Sequence, residues 1–130
     1  MKISARARRA AAAVVLALSA AACDLGPDAP STATGRIEGH PALGAAVLDV
    51  VWRGAVSFEG RGSTQVYAAA VPGSPDHWRV VLVSPEISDL AFAAKVESSL
   101  LDAPIITVVE AANIGNLAVD VAPLRVSIER

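Results

Sequence analysis

After Gly44 the apolar pattern has a period of two rather than 3.6 in most of its segments, and that period decides which folds are open to the chain. Leu48, Val50 and Trp52 alternate with Asp49 and Arg53, and Val56 and Phe58 alternate with Ser57 and Glu59. Successive side chains of a strand point to opposite faces, so each such run is apolar on one side and polar on the other. A helix would instead need apolar residues three and four apart.

The breaks between the runs set the number of strands. Glu59-Gly60-Arg61-Gly62-Ser63 reads as a hairpin turn into a strand over Thr64 to Val71, and Pro72-Gly73-Ser74-Pro75-Asp76 is the clearest interruption. Trp78 to Ser84 is dense in valine, as expected of a central strand buried on both faces. Ser84 to Leu101 supports two readings. Ser84, Pro85 and Glu86 form a helix start, whereas Leu90, Phe92, Ala94 and Val96 alternate with Asp89, Lys95 and Glu97; a strand over Leu90 to Val96 is preferred. After Pro104, Ile105 to Ala111 is a β-branched run ending in the turn Asn113-Ile114-Gly115-Asn116. The last segment alternates through Val119 and Val121, is interrupted at Pro123 in an edge or bulge position, and resumes with Leu124, Val126 and Ile128. About seven short strands at this spacing predict an all-β sandwich over residues 40–130, of immunoglobulin-like or cohesin-like type.

The N-terminus has a different character. Lys2, Arg6, Arg8 and Arg9 precede an apolar run from Ala10 to Leu18 and a small-residue stretch from Ser19 to Ala22, the three-part pattern of a secretory signal peptide. The run is short of the roughly 20 apolar residues of a membrane span and is built mainly of alanine. Leu18-Ser19-Ala20-Ala21-Ala22-Cys23 resembles the lipobox of bacterial lipoproteins, which implies cleavage before Cys23 and thioether lipidation of that residue. Ala20 departs from the pattern, standing where the family prefers a larger aliphatic, so an ordinary cut after Ala20 or Ala22 stays open. Cys23 is the sole cysteine of the 130 residues; no intrachain disulfide can form, and a lipid thioether accounts for the lone thiol in an oxidising compartment. Asp24 resembles the signal that retains some Gram-negative lipoproteins in the inner membrane. Residues 23–39, rich in Pro, Gly, Ser, Thr and Asp, read as a tether, with an irregular first strand around Thr34 to Glu38 as the alternative.

Removing residues 1–22 leaves 108 residues, enough for one domain with a core. Four of the eleven Lys and Arg lie in the removed segment, so seven bases face thirteen acids and the net charge is −6. That balance argues against nucleic acid as a partner and against electrostatic docking onto anionic lipid.

Site chemistry is sparse. His40 and His77 each lack a second ligand at metal-binding spacing, and solvated loop histidines explain them more simply. No serine sits in a G-x-S-x-G elbow, and Gly60-x-Gly62 lacks the helix and lysine of a phosphate loop. Asp49, Glu59, Glu110 and Asp120 read as solvent-facing strand charges. No catalytic residue, metal site or cofactor is expected, and the chain reads as non-enzymatic. Tyr67 and Trp78, flanking the loop from Pro72 to His77, are the candidates for stacking on a sugar or small ligand, although large aromatics in a small sandwich are mostly core. Small bacterial lipoproteins with a β-sandwich are faintly resembled by the spacing of Gly44 to Val50, Arg79 to Ser84 and Val108 to Ala112. The expectation is therefore a protein of the bacterial cell envelope, held on the extracytoplasmic side of a membrane through Cys23. Its role is a structural or protein-interaction module with an envelope protein as partner, or alternatively a carbohydrate- or small-ligand-binding module.

Overall fold

A computed structural model describes residues 30–86, 89–98 and 103–130. The signal segment, Cys23 and the first part of the tether lie outside the described residues, as do parts of the segment between Ser84 and Leu101. Eight strands form two antiparallel four-stranded sheets. The first holds β3 (Ala55–Gly60), β6 (Ala91–Val96), β1 (Ser31–Glu38) and β8 (Arg125–Glu129), in that order. The second holds β4 (Gln65–Ala70), β5 (His77–Val83), β2 (Leu43–Val51) and β7 (Ile105–Asn113). The expected all-β sandwich is found, with eight strands where about seven were counted.

The additional strand is β1, inside what reads as a tether. It is a central strand, paired with β6 from Ser31 to Arg36 and with β8 from Thr34 to Glu38. Its inward positions are Ala33, Gly35 and Ile37, and two of these are too small to register as an apolar rhythm. Gly35 is small for a reason. It lies opposite Phe92, and a Cβ at this position would run into the Phe92 ring. The sandwich therefore begins at Ser31 rather than at residue 40.

Pairings β1·β8, β2·β7, β3·β6 and β4·β5 are the rungs of one long hairpin whose tip is the turn at 71–76. Successive rungs go to alternate sheets, which is how a jelly-roll sandwich is wound. The order differs from the A-B-E-D and C-F-G sheets of the immunoglobulin sandwich, where the first two strands are neighbours. The link at 61–64 consequently crosses from one sheet to the other instead of closing a hairpin. It is held at the start of β6: Arg61 N–H donates to the Ala91 carbonyl at 3.0 Å, and Ala91 N–H donates to Oγ1 of buried Thr64 at 3.2 Å.

Between the sheets lie Leu48, Val50, Trp52, Val80, Leu82, Leu90 and Phe92, all buried. Phe58 sits at the centre of the aromatic contacts, with ring centroids 5.3 Å from Trp78, 6.1 Å from Phe92 and 6.4 Å from Trp52. The alternation from Leu90 to Val96 holds as strand β6, with Lys95 turned outward.

Candidate functional site: the outer face and open edge of the second sheet

Strand register places four rows of side chains on the outer face of the second sheet. Tyr67, Val81 and Val47 form one row across β4, β5 and β2; Ala69, Arg79, Asp49 and Thr107 form the next, extending onto β7. Val83 and Ala45 lie on one side of these rows, and His77, Val51 and Ile105 on the other. The face is largely apolar: Tyr67 is 61% exposed, Ile105 68%, Val51 42% and Val109 40%. Trp78 to Ser84 reads in sequence as buried on both faces, yet Val81 and Val83 are only half-buried.

A polar cluster interrupts this face at its centre. Asp49 Oδ1 lies 2.6 Å from His77 Nε2 and 3.4 Å from an Arg79 guanidinium nitrogen. The pairing follows from the β2–β5 register, in which Asp49 faces Arg79 and Val51 faces His77. About a third of each of the His77 and Asp49 side chains is exposed. A pair of this kind in contact with solvent contributes about 1 kcal/mol or less and weakens with salt. Asp49→Ala is accordingly expected to lower stability by no more than about 1 kcal/mol, with a smaller loss in high salt, as read from urea midpoints at the two ionic strengths.

Beside the cluster, the outer faces of β2 and β7 and the segment 116–121 enclose a groove of about 670 Å³. Its floor is built from Ala45, Val47 and Ala112, and the carboxyl-bearing residues Glu110 and Asp120 line it. Small floor residues make the space; the 117–119 segment makes the wall. That segment is pinned to the end of β7 by Asn113 N–H to the Leu117 carbonyl and Val119 N–H to the Ala111 carbonyl, each 2.9 Å. Asn113 Oδ1 also accepts from the amides of Gly115 and Leu117, which explains why the Asn-Ile-Gly-Asn run turns where it does.

Tyr67 and Trp78 are not brought together. Tyr67 stands on the outer face in register with Val81, whereas Trp78 is in register with Val50 and packs inward against Phe58. The Tyr67 hydroxyl donates to Gln65 Oε1 at 3.2 Å. His40 accepts the Ala42 N–H on Nδ1 at 3.1 Å, and Glu59 lies 3.7 Å from Lys95. Among the described residues no three His, Cys, Asp or Glu side chains gather as metal ligands would. Sequence reasoning missed Asp49 as the partner of His77, because 28 residues separate them. Aligning the alternation of 45–51 against that of 77–83 as antiparallel strands is the signal that finds the pair. The chain matches no family model, no curated protein and no solved structure, so the reading of the site rests on its geometry.

Proposed function

We propose that the chain is a bacterial cell-envelope lipoprotein, anchored through Cys23 on the extracytoplasmic side of a membrane, whose sandwich is a non-enzymatic protein-interaction module. The observation that carries the interaction reading is the apolar outer face of the second sheet, continuous with the exposed strand β7 at its edge. Valines that stay partly exposed on the outer side of central strands are what a sheet presents to a partner. An edge strand beside such a face offers main-chain hydrogen bonds to an added strand. Support for the anchor is the lipobox resemblance together with the position of β1. Seven residues separate Cys23 from Ser31, a length that spans at most about 28 Å, so the sandwich would be held close to the lipid surface.

The test of the anchor is a comparison of the native chain with Cys23→Ser in a bacterial host. The native chain is expected in the membrane fraction, with an intact mass equal to residues 23–130 plus diacylglycerol and acyl chains. The variant is expected without that added mass and outside the membrane fraction, because two or three acyl chains supply the durable anchoring. Equal membrane retention of the two would overturn the lipoprotein reading. Crosslinking in intact cells tests the module: a reproducible partner at the second sheet is expected, and its absence counts against the interaction role.

A further inference from the structure

The edge formed by β7 is half closed and half open, and the division follows from its hydrogen bonds. Ser84 N–H donates to the Gly44 carbonyl and Trp52 N–H to the Asp76 carbonyl, both at 2.8 Å. Even-numbered residues of β2 therefore bond towards β5, and odd-numbered ones towards β7, because alternate residues of an antiparallel strand turn their N–H and C=O to opposite sides. Asp49 and Val51 lie opposite Thr107 and Ile105. Thr107 and Ile105 thus direct their backbone groups inward, and Ile106 and Val108 direct theirs away from the sheet. Register shifts by one residue between Val47 and Leu48, where Glu110 and Val108 are the partners, leaving Val109 as the extra residue of a bulge. Beyond it, the outward carbonyl of Ala111 and amide of Asn113 are taken by Val119 and Leu117. The stretch from Ile105 to Val109 has no such cover among the described residues.

The other three edges carry protection that this stretch lacks. β8 is five residues long and has Arg125 and Glu129 at its ends; β3 is broken by a bulge between Ala55 and Ser57 and carries Glu59. β4 is mostly alanine, and β3 packs beside it more extensively than β8 packs beside β7. Ile105-Ile106-Thr107-Val108-Val109 is an unbroken β-branched run with no charge and no proline, the composition most prone to strand addition.

We infer that the occupant of this open edge is the same strand of a second copy of the chain, paired antiparallel about a two-fold axis through Thr107. The inference rests on the reading of the sandwich as an interaction module and names its partner. The run is complementary to itself. With Thr107 facing Thr107, the outward groups of Ile106 meet those of Val108 on the second copy, which satisfies four hydrogen bonds across the axis. Ile105 meets Val109 on the outer face, removing two exposed apolar side chains from water, Ile105 being the most exposed of the large ones among the described residues. Glu110 falls opposite Pro104, so no like charges are opposed. Pro104 at one end and the bulge at the other bound the pairing. Self-complementarity of one patch about a two-fold axis is the condition for a closed dimer, and this one joins the two second sheets into a single eight-stranded sheet. Anchoring both copies to one membrane raises their concentration relative to each other and offsets the small size of the contact.

The experiment uses the full chain in bacterial membranes. Facing residues of a non-hydrogen-bonded antiparallel pair have Cα atoms about 4.5 Å apart, within the range of about 4.4–6.8 Å that a disulfide requires. Thr107→Cys is expected to form a covalent homodimer on mild oxidation, and Ala69→Cys, exposed on the opposite edge of the same face, is not. With two differently tagged copies, Thr107→Lys paired with Thr107→Glu is expected to co-purify roughly fivefold better than either variant with itself, because opposite charges attract and like charges repel at facing positions. Homodimer no more abundant than for Ala69→Cys, or charge variants that associate with themselves as well as with each other, overturns the inference. A Thr107→Cys adduct with a different protein overturns the second copy as partner and leaves the interaction module standing. No adduct of any kind at this position sinks both.

Discussion

Replacing Trp52 with alanine is expected to cost about 3–5 kcal/mol, the range for truncating a fully buried aromatic. Trp52 follows β2, is 1% exposed, and holds the connection to β3 through its backbone as well as its ring. Its N–H donates to Asp76 at 2.8 Å, and its carbonyl accepts from Ala55 at 3.2 Å. The backbone bonds survive the substitution, so the loss comes from the indole's packing against Phe58 and the surrounding aliphatic side chains. A domain of this size has about 5–15 kcal/mol of stability in total. The variant is therefore expected to unfold at a much lower urea concentration with an unchanged slope, as followed by circular dichroism. A midpoint within the error of the native protein would show that the ring is not part of the core.

A second large effect is expected at Gly35, where the added methyl of alanine meets the Phe92 ring at the centre of the first sheet. Overpacking a closed core costs about 1–3 kcal/mol, and here both partners sit on central strands with no route of escape. The cost is conditional on the ring, which gives it a signature. Phe92→Ala alone is expected to lose about 3–5 kcal/mol, and Gly35→Ala added to Phe92→Ala is expected to cost far less than Gly35→Ala in the native background. A double-mutant cycle by urea denaturation measures that coupling. Strict additivity would mean that the ring does not rest on the Gly35 backbone.

The contrast between β1 and β6 shows which parts of this fold are legible in sequence. β6 carries Phe92, Ala94 and Val96 inward and Lys95 outward, so its period of two is visible even behind the helix-start signal of Ser84-Pro85-Glu86. β1 has only Ala33 and Gly35 at its first two inward positions, and at Gly35 the volume belongs to the Phe92 ring. Its strand character is written in the residue it faces and not in its own residues. Pairings across long separations were equally hidden: nothing near His77 in sequence points to Asp49, and nothing near Tyr67 says that Trp78 faces the other way. The partly exposed outer side of β5 is hidden for another reason. A valine-rich strand expects cover on both sides, and sequence does not say whether the cover comes from the same chain.

The hairpin-like winding also dictates an order of events. The turn at 71–76 joins β4 and β5, the only strands consecutive in sequence that are also paired; β2 and then β7 can be added to that pair, and in the other sheet β1 acquires β6 before β8. Each later rung closes a longer loop of chain and loses more entropy in doing so. A polypeptide emerging N-terminus first would deliver β1 and β2 earliest, yet β1 lacks its last neighbour until residues 125–129 are out. The inner strands that come first in the chain are thus the last to be completed, β2 when residues 105–113 are out and β1 only with residues 125–129, so the amino-terminal strands stay without a full set of neighbours until almost the whole chain is available.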